Sequence, residues 1–383
     1  FLVLQTARGL IYVEPGEVSS VETDGGDKVT RRRPQLLLTL RDTDKPETKV
    51  AIRYIAHGLS WAPSYRIDIS DPNTLSLEQH AVVRNELADF ADAEVRLISG
   101  YPSVEYSHVR SPLSFHTSWA NFFGEIAGRR HAEVAVLSNS VVGQQVAFNN
   151  PRNPNGGFGL ALGATPTGEG VDLHYQSIGK RTLGDGDALA LVVAKGKADY
   201  ERIVEWTVPD SREGWGRGDG DGEPWDALKF KNPLAFPMTT GPAMVTANGQ
   251  FNGQRTSYWV NAGEETLLRV EKALSVRTRA TENEQLTKDG SGREAVWVGG
   301  RQYRKTTVEG ELAVSNNRKE NVQLLIRRCF SGELVSADGD PKRRLREEGV
   351  YSVNKRQELG WLLPLKGGEE KRLKYTYTVL VPN

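Results

Sequence analysis

The chain has 383 residues, enough for two or three domains and a sizeable core. Its 49 basic and 49 acidic residues cancel, so charge gives no argument for nucleic acid or an anionic membrane as partner. A single cysteine, Cys329, excludes an intramolecular disulfide, and no apolar run approaches the roughly 18–20 residues of a membrane span.

The sequence opens on Phe1 rather than Met, which predicts a processed or trimmed chain with any signal peptide upstream. Residues 1–48 read as an N-terminal β-segment ending in the strand-like run Leu36–Leu40. The basic run Arg31-Arg32-Arg33, like Lys342-Arg343-Arg344 later, reads as solvated loop charge. Residues 49–269 form the expected main β-sandwich, opening with Val50–Ile55. The stretch Gly58-Leu59-Ser60-Trp61-Ala62-Pro63-Ser64-Tyr65 then predicts a bend packed onto the sheet by its two aromatics, before Tyr65–Ile69. Ala81–Arg84 and Ala93–Ile98 follow as short strands between Gly, Pro, Asn and Asp clusters.

An insertion over about 111–170 breaks the β-pattern. Trp119, Phe122, Phe123, Ile126 and Ala127 recur at helical spacing over Ser118–Arg130, with Ser118 as N-cap and Glu125/Arg129 as an i,i+4 pair. The aromatic stripe suits either a partner-binding helix or one lying over an open sandwich face. Beyond it, Asn149–Gly170 is a Gly/Asn/Pro-rich loop. Strands resume at Ala188–Val193 and Arg202–Val208, separated from Leu267–Val270 by a second glycine-rich stretch, Arg212–Trp225. Residues 270–383 have the rhythm of a separate Ig-like or fibronectin-like sandwich, with Glu311–Val314, Val322–Phe330 and Tyr375–Val381 among its strands. The fold class expected is therefore all-β: two or three antiparallel sandwich-like units with one short helical insertion.

Several of these pieces, in this order, resemble one family. Tyr54-Ile55-Ala56-His57-Gly58-Leu59-Ser60-Trp61-Ala62-Pro63-Ser64-Tyr65 is similar to the entry motif of the mucoidy inhibitor A-like family. Ala81–Asn85, Ala93–Pro102, Thr182–Asp187 leading to Val204-Glu205-Trp206, Leu228–Asn232, Thr240–Val245, Gly360–Leu365 and Tyr375-Thr376-Tyr377 resemble its later pieces. The resemblance implies an all-β bacterial protein of the periplasm or cell surface, whose defining domain has no assigned activity to carry over. Family members have an N-terminal module and a coiled coil before this domain; this chain shows no heptad run. The stretch from Ser111 to Gly170 has no counterpart in the family pattern.

Candidate chemistry is sparse. Asp219, Asp221 and Glu223, with Asp226 nearby, place oxygen ligands at alternate positions, as at the start of a calcium loop. An EF-hand needs glutamate at the twelfth loop position, where Phe230 stands, and Gly-Asp runs equally make surface turns. Asp185/Asp187 and Asp338/Asp340 read as hairpin turns, and Arg217-Gly218-Asp219 as a chance adhesion-like tripeptide. The six histidines include no His-x-x-x-His pair; His108 and His116 flank a loop and read as exposed. No Gly-x-Ser-x-Gly elbow, P-loop or dinucleotide fingerprint is present, and Cys329 reads as a small core hydrophobe. Of the eight tryptophans, Trp206, Trp259, Trp297 and Trp361 lie in strand-like runs and are expected in the core, while Trp215 and Trp225 in the glycine-rich stretch are expected as exposed aromatics. The expectation is a non-catalytic binding or structural module of the bacterial envelope or surface. It would meet another protein or its own copy through sheet edges, loops and Trp119, Phe122 and Phe123. No cofactor is expected; the acidic loop of Asp219, Asp221 and Glu223 is the one candidate Ca²⁺ site. The alternatives are a hydrolase of envelope polysaccharide and a carbohydrate-binding module.

Overall fold

The computed structural model describes residues 2–14, 39, 49–56, 58–100, 109, 118–127, 173–210, 212, 222–285, 295–346 and 352–382. Strands make up 67% of them, beside one short helix, so the chain is all-β with sandwich-like sheets. It divides into two compact units. No helix among the described residues is long and apolar enough to cross a membrane.

The smaller unit comprises Phe1–Arg53 and Tyr106–Glu133. It holds an antiparallel hairpin, β1 (Leu2–Thr6) and β2 (Gly9–Val13), and the helix α1 (Trp119–Ala127). Ser118 caps α1 as expected: its hydroxyl accepts from the Asn121 amide at 3.1 Å. Arg129, the expected partner of Glu125, lies outside the described residues, as does Leu36–Leu40 apart from Thr39. The run Val50–Ile55 forms no strand. Ile55 is 84% exposed; among the described residues no strand lies alongside to take the run's backbone hydrogen bonds.

The larger unit is built on β7 (Ala188–Val208), a strand of 21 residues. The sequence predicts two strands here. They are one because the polar bridge between them alternates in burial after a single register shift at Val193, and because Gly196 leaves room for Pro233, whose ring a Cβ there would meet at 2.9 Å. The first half of β7 pairs with β4 (Thr74–Asn85). Beyond β4 come β3 (Leu59–Asp68), β9 (Gly241–Ala247) and β10 (Gln250–Ser257). The second half pairs antiparallel with β8 (Pro224–Lys231) on one edge and parallel with β15 (Val322–Ser331) on the other. That half is central to a run that continues to β11 (Glu265–Lys272) beyond β8, and to β18 (Arg356–Leu365) and β17 (Lys342–Leu345) beyond β15.

One face of this run covers two cores. At the β8/β11 end, Leu228, Phe230, Leu268 and Val270 pack on Tyr65, Ile67, Leu75, Leu77 and Val245 of the first sheet. At the β15/β18 end, Trp206, Ile326, Phe330 and Trp361 pack on a second sheet. That sheet is β12 (Val276–Glu284), β14 (Arg301–Asn316), β19 (Glu370–Pro382) and β16 (Glu333–Ala337), with β13 (Ala295–Val298) alongside β14. An antiparallel pair, β5 (Phe90–Ser99) and β6 (His174–Leu183), closes a third cluster around Trp61, Val83, Val95 and Ile178.

The Gly58–Tyr65 stretch is not a bend between strands. Only Gly58 turns, at φ 114°, where a Cβ would meet the Glu86 carbonyl oxygen at 2.8 Å. From Leu59 on, the chain is β3, and Trp61, Tyr65 and Ile67 alternate inward. Pro63 is tolerated because β9 joins that edge only from Tyr65 onward. The Trp61 indole donates to the Ile98 carbonyl at 3.1 Å and the Tyr65 hydroxyl to the Thr239 carbonyl at 2.8 Å. Asp185 and Asp187 sit at the turn from β6 to β7 but form no hairpin, because β6 pairs with β5 and β7 with β4 in a different sheet. Asp338–Asp340 forms no hairpin: β16 and β17 belong to different sheets, so this turn is a corner between them. Trp297, expected in the core, is 68% exposed on β13, a four-residue strand whose one partner among the described residues is β14.

In the second core the Tyr375 ring lies over Gly310, its register partner across β14 and β19. A methyl group at Gly310 would collide with that ring. Gly310→Ala is therefore expected to destabilise the protein by about 1–3 kcal/mol through overpacking, read as a lowered midpoint in urea unfolding.

Candidate functional site

Strand alternation gives the β11-β8-β7-β15-β18-β17 run a second, outer face. On β7, Val204 and Trp206 point into the second core, so Ile203, Glu205 and Thr207 point the other way. On β15 the same rule sends Leu325, Arg327 and Cys329 outward and Ile326, Arg328 and Phe330 inward. Ile203, Ala227 and Leu325 form a small apolar cluster on the outer face. Beside it runs a ladder of charge.

The ladder starts at Arg269 on β11, whose Nε donates to Glu205 Oε2 at 2.7 Å and whose terminal nitrogen donates to the Thr207 hydroxyl at 3.1 Å. Arg327 donates to Glu205 Oε1 at 3.2 Å and, through two nitrogens, to Glu358 Oε1 at 3.1 Å. Arg346, just past β17, donates to Glu358 Oε2 at 3.0 and 2.5 Å. Both carboxylates are buried. Burial pushes Glu205 up, but the guanidinium groups of Arg269 and Arg327 outweigh it and hold its carboxyl below the usual range. Glu358 is likewise raised by burial and lowered further by Arg327 and Arg346, to a net depression. The thiol of Cys329 faces Glu358 Oε2 at 4.0 Å. Burial first, and then the Glu358 charge, push it up to about 12, so it stays a thiol at neutral pH and offers no nucleophile.

Arg328 enters the second core instead. Its Nε donates to the Tyr375 hydroxyl at 2.7 Å, and a terminal nitrogen donates to Glu282 Oε1 at 2.5 Å and a second to the Pro209 carbonyl at 2.7 Å. Glu282 also accepts from the hydroxyls of Tyr375 and Tyr377, at 2.8 and 3.1 Å. Burial raises its carboxyl, and Arg328 pulls it below the ordinary value.

Two grooves share Leu267 and Arg327 of the outer face, and the second also takes Trp361 and Leu363 of β18 and Lys371 and Leu373 of β19 into its lining. One, of about 390 Å³, runs past Glu205, Arg269 and Tyr258. The other, of about 420 Å³, lies over β18 and β17.

The residues expected from sequence fall elsewhere. Asp219, Asp221 and Trp215 lie outside the described residues, as do His108, His116 and Arg217-Gly218-Asp219. Glu223 pairs with Lys272 at 2.5 Å, and no cluster among the described residues suits a metal ion. Trp225 is no exposed aromatic: it is the second residue of β8 and 6% exposed, beneath Arg255, whose guanidinium carbon lies 4.4 Å from the ring centre. Trp119 and Phe123 stand 64% and 60% exposed on α1. The two rings stack at 5.9 Å, and Phe122 meets Phe123 edge-on at 5.4 Å.

Sequence reasoning missed the ladder. Its signal was available: Glu205, Arg327, Arg328 and Glu358 are charges inside strand-like runs, and a charge in such a run must find a counter-charge. Only their partners, far away in the chain, were invisible.

Removing the Glu205 charge leaves Arg269 and Arg327 facing a neutral group. Glu205→Gln should cost about 3 kcal/mol in urea unfolding. The folded pKa values of Glu205, Glu358 and Glu282 are depressed. Their contribution is therefore whole above the unfolded glutamate value of about 4.3 and is lost as pH falls through the folded values. Thermal midpoints should be level from neutral pH down to about 5 and drop steeply below about 4, less steeply in Glu205→Gln. Searches of protein-family models and of curated proteins return no match to this chain.

Proposed function

We propose that the chain is a non-catalytic binding or structural module of the bacterial envelope or surface, acting by contact with another protein or with its own copy. The observation that carries this reading is α1. A capped nine-residue helix presents Trp119 and Phe123 to solvent as a stacked pair, with Phe122 packed edge-on. Exposed, pre-stacked aromatics of this kind are what protein interfaces use as anchors, because large rigid rings lose little conformational freedom on binding. The envelope assignment rests on the resemblance of the Tyr54–Tyr65 motif and the pieces that follow it.

The outer-face carboxylates support the non-catalytic side. A glycosidase acid needs a carboxyl held above its ordinary value. Glu205 and Glu358 are held below it, each by two arginines.

Sedimentation velocity over a range of concentrations, with chemical cross-linking of native material, tests the proposal. Wild-type protein is expected to self-associate or to hold a stoichiometric protein partner. Trp119→Ser with Phe123→Ser should lose that association by about tenfold or more while keeping the wild-type melting temperature, since both side chains are exposed. A monomer that holds no partner overturns the reading.

A further inference from the structure

The groove over β18 is a second feature, independent of α1. Its floor follows from register. Across β15, β18 and β17, one row reads Arg327, Gly360, Lys342. The row on one side reads Leu325, Leu362; the row on the other reads Cys329, Glu358, Arg344. Paired residues share a face, so Gly360 leaves a pit in the sheet between two cationic side chains, with leucines along one flank. Leu267 extends that flank beside Leu325, and Leu362 is 52% exposed within the groove.

Charge complements this apolar floor. Arg327, Lys342, Arg344 and Lys371 line the groove against only Asp340 and Glu358. Glu358 is already engaged by Arg327 and Arg346. Lys342, Arg344 and Lys371 form no ion pair with an acid among the described residues. At about 420 Å³, the space falls within the roughly 300–1,000 Å³ typical of small-molecule sites, which pair apolar walls with a few placed polar groups.

We propose that this groove binds a small anionic amphiphile, with its alkyl chain on Leu267, Leu325 and Leu362 and its carboxylate or phosphate head over Gly360, beside Lys342 and Arg344. An aliphatic chain matches the leucine flank, and a negative head matches the cations left without acids. A neutral or cationic amphiphile would leave that charge uncompensated.

Gly360 also supplies the test. A Cβ there meets nothing closer than the Lys342 carbonyl oxygen at 3.8 Å, so Gly360→Leu fills the pit without disturbing the backbone. Titration calorimetry on the full chain should show saturable 1:1 binding of decanoate, of monodecyl phosphate or of both, the two separating the head groups. Decyltrimethylammonium and acetate should bind at least about tenfold more weakly. Gly360→Leu should weaken binding by about tenfold or more with an unchanged melting temperature. Lys342→Glu, at an exposed position, should do the same without touching the core. Undiminished binding in Gly360→Leu, equal affinity for the cationic chain, or saturable binding only of an acidic, leucine-containing peptide overturns the proposal.

Discussion

Strand β7 is hydrogen-bonded on both edges where it matters most. Over Ile203–Trp206 it has β8 on one side and β15 on the other, while its first half belongs to the sheet of β3 and β4. The two main cores are therefore not separate sandwiches joined by a linker. They share one sheet, and one face of that sheet supplies half of each core: Leu228 and Phe230 to the first, Trp206 and Ile326 to the second. The outer-face ladder depends on the same pairing, because the parallel register of β7 and β15 sets Leu325 beside Glu205 and brings Arg327 within reach of it.

The adjacent arginines 327 and 328 are held in opposite ways. Strand alternation turns one to the outer face and the other into the second core, and each meets carboxylates from distant parts of the chain: Glu205 and Glu358 for Arg327, Glu282 for Arg328. Buried ion pairs of this sort add little net stability over an apolar core, yet removing one partner is expensive. Their effect is to penalise wrong registers. A one-residue slip of β15 would send Arg327 into the core of Phe330 and Trp361 and strand Glu205.

Much of the fold was legible from local pattern. Tyr375-Thr376-Tyr377 alternates, and the structure buries both tyrosines. Trp119, Phe122 and Phe123 recur at helical spacing, and they do lie on a helix capped by Ser118. What local pattern cannot hold is pairing. Val50–Ile55 has strand composition but no strand partner among the described residues, whereas β7 reads as two strands because the seat for Pro233 at Gly196 is a contact across the fold. The glycine-rich approach to Trp225 suggests a loop, but the cover that buries this ring, Arg255, comes from β10. The groove over Gly360 was invisible for the same reason: a lone glycine in Gly360-Trp361-Leu362 is unremarkable until Arg327 and Lys342 are set on either side of it.

The parallel pairing of β7 with β15 has a consequence for how the chain is made. Ile203 pairs beside Gln323, so one edge of β7 waits for a strand that leaves the ribosome over a hundred residues later. At about 5–20 residues per second, that is roughly 6–24 s of synthesis. β8 follows within a few tens of residues and covers the other edge. Along that edge lie Val204 and Trp206, whose side chains are destined for the second core. During translation this is an open template for pairing with any passing strand, including the same segment of a neighbouring nascent chain.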